Sequence, residues 1–258
     1  MTLVESIILG IIQGLTEFLP VSSSGHLVLF QHIMGHKEVP LLFDVLLHVA
    51  SLIAILIFFR KKLFALAEGV VIKKDDTSIR EVIMLAIGTA VTVAMVIFVK
   101  PVLMHIREHP KVLGFTFLFT AAILVVANYL MKKIRADKSV SVKDALFIGF
   151  FQGLAILPGI SRSGSTIAAA LFKKIPGEKA VEFSFLLAIP AIGGAMVLEA
   201  FKGEWGSIEF FPTLAGCIAS FVASLFALKL LVMMVKKTIL FPFSIYLFFL
   251  SLSIFIFR

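Results

Sequence analysis

The sequence predicts an all-α polytopic membrane protein built as an inverted repeat, each half one re-entrant helical hairpin followed by three transmembrane helices. Three observations carry that expectation. The 258 residues are 60% hydrophobic, with 27 phenylalanines and a mean hydropathy of +1.07, more apolar surface than a soluble domain of this size buries. The apolar residues fall in runs near the roughly 20 residues a helix needs to cross a bilayer, and helices satisfy their own backbone in lipid. Third, a polar stretch near the start, from Gln13 to His26, has a degraded copy from Gln152 to Ser165, 139 residues later.

Taken in order, segments 3–19 and 22–34 are apolar but short, and they flank Pro20 and a Ser-Ser-Ser-Gly run. Full spans are expected at about 41–59, 82–99 and 112–131. Segments 142–157 and 161–172 repeat the short pair around Pro158 and Gly159. Further spans follow at about 181–200, 211–232 and 239–257. Short, Pro/Gly-interrupted segments at matching places in two halves point to re-entrant hairpins that form a site at the midplane. Three crossings separate the copies, so the second hairpin enters from the opposite face. The chain then reads as one integral membrane domain over 1–258, repeat 1 covering about 1–135 and repeat 2 about 140–258. The N-terminal segment does not read as a cleaved signal peptide, because Glu5 stands where a basic region belongs.

The net charge of +8 does not point to nucleic acid, because the cations sit in short clusters between apolar spans. Loops 60–80, 132–143, 173–179 and 236–237 hold sixteen Lys and Arg. The opposite face holds six: Lys37, Lys100, Arg107, Lys111, Lys202 and Arg258. The richer face is expected to be cytoplasmic, which puts both termini and the mouth of the first hairpin on the outer, periplasmic side. The single cysteine, Cys217, excludes an intrachain disulfide and is expected to pack within a span.

The two copies agree in their small and turn residues and differ in their reactive ones. Gln13, Gly14, Leu15, Ser22, Ser24 and Gly25 match Gln152, Gly153, Leu154, Ser161, Ser163 and Gly164, while the proline slips by one place. Gln13 and Glu17, four apart, project from one helix face, and an ionisable group within an apolar segment is presumed functional. Pro20 ends the first helix, and a serine then caps the second, leaving free N–H groups at a helix start, which is an anion site. Ser23 and His26 share a face if the helix has already begun, so an imidazole could activate a hydroxyl. In the second copy Arg162 takes the place of Ser23, and its fork fits two phosphate oxygens. Ser161, Ser163 and Thr166 add hydroxyls at that helix start. Asp44 and His48, at i and i+4 in the first span, share a face that could line the cavity or steady the hairpin by hydrogen bonding, the second being the expected role. Glu182, Glu199 and Lys229 read as interfacial. The chain contains no P-loop and no HExxH.

These motifs, Gln13-x-x-x-Glu17, Pro20-Val-Ser-Ser-Ser-Gly-His26 and Pro158-Gly-Ile-Ser-Arg-Ser-Gly164, with Phe183-Ser-Phe-Leu-Leu-Ala-Ile-Pro190, resemble those of bacterial undecaprenyl-diphosphate phosphatases of the bacitracin-resistance type. The resemblance implies an inner-membrane hydrolase of phosphoric anhydride bonds that takes the C55 lipid diphosphate to its monophosphate, recycling the cell-wall lipid carrier. It also implies dependence on Mg²⁺ or Ca²⁺, for which Glu17 is the candidate ligand. One position departs: the first residue of the acidic pair is often Glu, and here is Gln13, which can orient or hydrogen-bond but cannot act as a base. Lipid phosphate phosphatases of the Ser-Gly-His type offer a local likeness only, since no histidine follows Arg162. The expected roles are therefore Glu17, Ser23 and His26 in catalysis, with Arg162, Gln13, Ser22, Ser24, Ser161, Ser163 and Thr166 binding substrate. Ser23 acts as nucleophile, or else water attacks directly. A carrier of a phosphorylated lipid or small anion is the competing reading, because inverted repeats with broken helices are also a transporter architecture. The substrate lipid and the bilayer are the expected partners, nucleic acid is not, and a homodimer is left open.

Overall fold

A computed structural model describes residues 1–36, 39–134, 138–202 and 204–256. Lys37, Arg135 and Arg258 of the charge count lie outside the described residues, as does the side chain of Arg107. The described residues form eleven α-helices. Two short helices, α1 (Leu3–Phe18) and α2 (Ser23–Ile33), come first, followed by α3 (Leu41–Phe58), α4 (Arg60–Val71), α5 (Asp76–Glu108) and α6 (Leu113–Met131). A second short pair, α7 (Val142–Leu154) and α8 (Arg162–Phe172), precedes α9 (Gly177–Lys202), α10 (Phe210–Lys236) and α11 (Phe241–Ile256).

Helices α3, α5, α6, α9 and α10 are long and apolar enough to cross a membrane, and α11 is a shorter apolar helix of 16 residues. All six expected spans thus coincide with helices. Two expectations need correction. Residues 60–80, expected as a loop, contain α4, whose Phe64 and Val71 are exposed. The span expected at 82–99 belongs to a 33-residue helix that runs through Pro101, about 50 Å long at 1.5 Å per residue. Phe98, Phe201, Phe211 and Phe226 point outward, a continuous apolar exterior that suits lipid.

The short helices are placed by glycine. In α1, Gly10 lies against the backbone of Gly216 in α10, and Gly14 against Ser220 one turn further. In α7, Gly149 lies against the backbone of Gly88 in α5, and Gly153 against Met95. Any side chain at Gly10 or Gly149 would meet main chain, so small-xxx-small spacing lets these helices approach closely. Hydroxyls beside the glycines add hydrogen bonds: Thr92 Oγ1 of α5 donates to Gly149 O of α7 (3.2 Å), and Ser220 Oγ of α10 donates to Leu47 O of α3 (2.9 Å). Each short first helix therefore packs on a long helix from the other half of the chain. Both also start alike. Thr2 and Glu5 form a capping box on α1, and Ser141 with Asp144 forms one on α7 at the same 139-residue offset.

The main core surrounds α8, where Ile167, Ala168, Ala169, Ala170 and Leu171 are all buried, packed by α6, α7 and α9. This 11-residue helix starts inside the protein, at buried Ser161, and ends near the surface, where Lys174 is exposed.

Candidate active site

The α1–α2 turn spans four residues and the α7–α8 turn seven, and the two tips touch through main chain. Gly159 N donates to Ser22 Oγ (3.0 Å), and a Cβ on Gly25 would collide with Gly159. Gly159 adopts φ 88°, a conformation glycine takes without penalty. Its carbonyl accepts from Thr120 Oγ1 (2.8 Å). Ser22, the N-cap of α2, has φ 71° and ψ 94°, a state that costs a non-glycine residue about 1–3 kcal/mol and persists only where its surroundings enforce it. Ser161 caps α8 at an ordinary φ of −70°, accepting from Gly164 N at 3.1 Å.

Between the tips lies a cavity of about 250 Å³ lined by Glu17, Ser22, Ser23, Ser24, Val45, His48, Thr92, Gln152, Ser161, Arg162 and apolar residues of the second tip and α9. Glu17, 6% exposed, is its hub. Arg162 Nη2 donates to Glu17 Oε1 (2.5 Å), Ser23 Oγ to Oε2 (2.5 Å) and Gln13 Nε2 to Oε2 (3.0 Å). His48 Nε2 stands 3.4 Å from Oε2. A carboxylate 145 residues from its guanidinium partner is thus paired across the two copies, as a buried charge requires.

Arg162 Nη1 is buried and has no hydrogen-bond partner among the described residues. An unsatisfied buried donor of this kind needs an explanation, and an anion in the cavity supplies one. The helix starts support it: α2 begins at Ser23 and α8 at Arg162, so the positive ends of two helix dipoles and their first-turn amides meet at one place.

The other expected residues divide. Ser22, Ser24 and Ser161 line the cavity. Ser163 Oγ instead donates to Leu19 O (3.3 Å), tying the two tips, and Thr166 Oγ1 pairs with Ser184 Oγ (2.5 Å). Asp44 accepts from Gln31 Nε2 (2.6 Å) beneath α2. The expected Ser23–His26 contact does not form. The ring of His26 turns away from Ser23, its Nδ1 at 2.7 Å from Ser22 O and its Nε2 at 2.8 Å from the Tyr246 hydroxyl of α11. Of the two roles open to His48, it takes the cavity-lining one. Its Nδ1 lies 2.8 Å from Asp44 O, which leaves Nε2 facing Glu17.

Sequence reasoning also missed Thr92 and Gln152 as cavity residues. Gln152 Nε2 donates to Thr92 Oγ1 (3.1 Å), and its Oε1 is buried with no partner among the described residues. The repeat itself was the available signal, since Gln152 is the partner of Gln13.

For Mg²⁺ or Ca²⁺, the donor set is thin. Both oxygens of Glu17 are engaged, and among the described residues no group of three His, Cys, Asp or Glu converges. Such ions take several oxygen ligands, so these residues do not fit a metal held by the protein alone.

A buried acid, a hydroxyl and a guanidinium converge beside two helix starts, an arrangement suited to phosphoryl transfer. Residues 6–253 match the family described as bacitracin resistance protein BacA, and the chain belongs to that family. It is 39% identical to the undecaprenyl-diphosphatase of Carboxydothermus hydrogenoformans over 97% of this chain and 95% of that one. It is 40% identical to that of Desulfatibacillum aliphaticivorans over 94% of each chain. With that of Christiangramia forsetii, identity is 39% over 100% of this chain and 98% of the other.

Proposed function

We infer that this chain is an undecaprenyl-diphosphatase, hydrolysing the lipid diphosphate to the monophosphate and inorganic phosphate and so regenerating the lipid carrier. The observation that carries the reading into residues is the Ser23–Glu17–Arg162 chain of 2.5 Å contacts with Arg162 Nη1 left over.

In the proposed mechanism the terminal phosphate enters between the tips, where Arg162 and the first-turn amides of α2 and α8 hold its oxygens. Glu17 Oε2 takes the proton of Ser23 Oγ as that oxygen attacks the terminal phosphorus. The anhydride bond breaks, and the lipid monophosphate departs with the bridging oxygen and its electron pair. Water then attacks the phosphoserine, Glu17 returns its proton to the departing Ser23 Oγ, and the protons of the water leave with inorganic phosphate. Gln13 steadies Glu17, and His48 faces the same carboxylate. Direct attack by water, with Ser23 only binding phosphate, is the competing route. The 2.5 Å Ser23–Glu17 contact favours the serine.

The same reading extends to the fold. The exchanged packing of α1 on α10 and α7 on α5, with paired glycines and capping boxes, supports two inverted repeats whose short helices re-enter from opposite faces. The cation bias supports termini and cavity mouth on the outer side of the membrane.

Purified protein in detergent tests the activity, because no gradient exists there for a carrier to use. Wild type is expected to release phosphate from undecaprenyl diphosphate, with severe loss in Glu17→Gln, Ser23→Ala and Arg162→Ala. No phosphate from folded wild type, or a fully active Arg162→Ala, would contradict it.

A further inference from the structure

We propose that Tyr246 and His26 form a strut that holds the strained Ser22 turn, and that His26 is a positioning residue rather than the proton acceptor of Ser23. The inference rests on the phosphatase reading above and assigns α11 a part in it.

The hydrogen-bonding chemistry fixes the tautomer. Ser22 O can only accept, so His26 Nδ1, 2.7 Å away, carries the proton. In the neutral ring Nε2 is then an acceptor, and the Tyr246 hydroxyl at 2.8 Å must donate to it. The ring lies nearly parallel to Tyr246, at 12° with centroids 5.7 Å apart, and meets Phe117 edge-on at 5.2 Å. Both ring nitrogens are thus occupied by groups other than Ser23, whose hydroxyl goes to Glu17.

What the ring holds is the point of strain. Ser22 O receives both the main-chain N–H of His26 (3.2 Å) and its imidazole, while Ser22 Oγ receives Gly159 N from the other tip. These contacts keep Ser22 at φ 71°, which lets the next residue, Ser23, start α2 with its hydroxyl turned back onto Glu17. Tyr246 is 46% exposed along its body while its hydroxyl reaches His26. It acts through His26, which acts through the main chain of Ser22.

The test compares kcat and KM for phosphate release from undecaprenyl diphosphate in detergent, with folding followed by thermal melting. Tyr246→Phe keeps the ring and removes one hydrogen bond. The expected result is a fall in kcat of about 3- to 10-fold with KM unchanged, the size of one neutral hydrogen bond. His26→Ala is expected to lose about 100-fold or more, as for a reacting group displaced by an ångström or so. His26→Asn retains an N–H that can return to Ser22 O, and is expected to recover to within about tenfold of wild type. A His26→Asn enzyme that is folded and as inactive as His26→Ala would overturn the proposal, since a proton acceptor cannot be replaced by an amide. A raised KM with normal kcat in Tyr246→Phe would also overturn it, placing Tyr246 on the substrate. An inactive wild type would sink the phosphatase reading together with the strut, whereas an active wild type with either unexpected variant sinks the strut alone.

Discussion

Ser22 and Ser161 occupy the same place in the two copies, each capping the helix that follows, yet one sits at φ 71° and the other at −70°. The first hairpin bends in four residues and puts a serine in the left-handed region. The second takes seven residues and uses Gly159 for that purpose. The two copies still share local features: capping boxes at Thr2/Glu5 and Ser141/Asp144, and glycine crossings at Gly10 and Gly149. The tips have diverged. The strained one presents the Ser23 hydroxyl, the proposed nucleophile, and the relaxed one presents the Arg162 guanidinium. Strain collects at the hairpin that needs an orientation accurate enough for chemistry, while a charge can bind phosphate over a broader range of positions.

The sharpest way to break that division is to remove matched groups. Ser23→Ala is expected to lose phosphate release by about 10³-fold or more, as for an essential nucleophile. Its counterpart at the second tip, Arg162→Ala, is expected to lose about 10²- to 10³-fold in kcat/KM, the range for a main electrostatic donor. Equal, small losses at both would show that neither tip is specialised.

Where the copies remain alike, matched changes should cost alike. Gly10→Val and Gly149→Val each force a side chain into facing main chain, and each is expected to destabilise by about 1–3 kcal/mol, read as a lower melting temperature in detergent. A large effect at one and none at the other would mean that the crossings are not equivalent.

The smallest effect is expected at the helix starts. Main-chain and hydroxyl bonds from Thr2, and His36 beyond them, hold the Glu5 carboxyl below its usual range. Burial pushes Asp144 upward, but Ser141 and Lys138 outweigh it and leave its carboxyl lowered too. A carboxyl lowered in the folded state stabilises above its unfolded value and loses that contribution as pH falls through the folded value. Melting temperature should therefore drop on acidification below the ordinary carboxylate range, and less so in Asp144→Asn. Ser141→Ala is expected to cost about 1 kcal/mol through the lost cap.

Much of this was legible in the chain. Helices at all six expected places followed from apolar runs, five of them long enough to cross a membrane, and the 139-residue offset matched Gln13, Gly14, Ser22 and Gly25 to their partners. Glu17 and Arg162 stood out as ionisable groups in apolar surroundings. The slipped proline has a physical reason in hindsight: the place of Pro20 is taken by Gly159, whose positive φ proline cannot adopt. His26 was not legible. Spacing put it on a face with Ser23, but helix α2 starts only at Ser23, so that hydroxyl points back to α1 while the ring follows the helix to Tyr246, 220 residues distant. His48 was underrated for a related reason, because only tertiary packing brings α3 against Glu17. The glycine spacing in α1 and α7 could be read, but not the partners Gly216 and Gly88. Such long-range choices depend on which helices meet, and local pattern does not encode that.

The central claim is that both tips build one site. It is tested most directly by placing cysteines at positions 17 and 162 in a Cys217→Ser background, which leaves no other thiol, and adding a short bifunctional thiol reagent to protein in native membranes. Efficient intramolecular cross-linking of the pair, absent from either single-cysteine protein, is the expected result. Two freely reactive thiols that never join would contradict it.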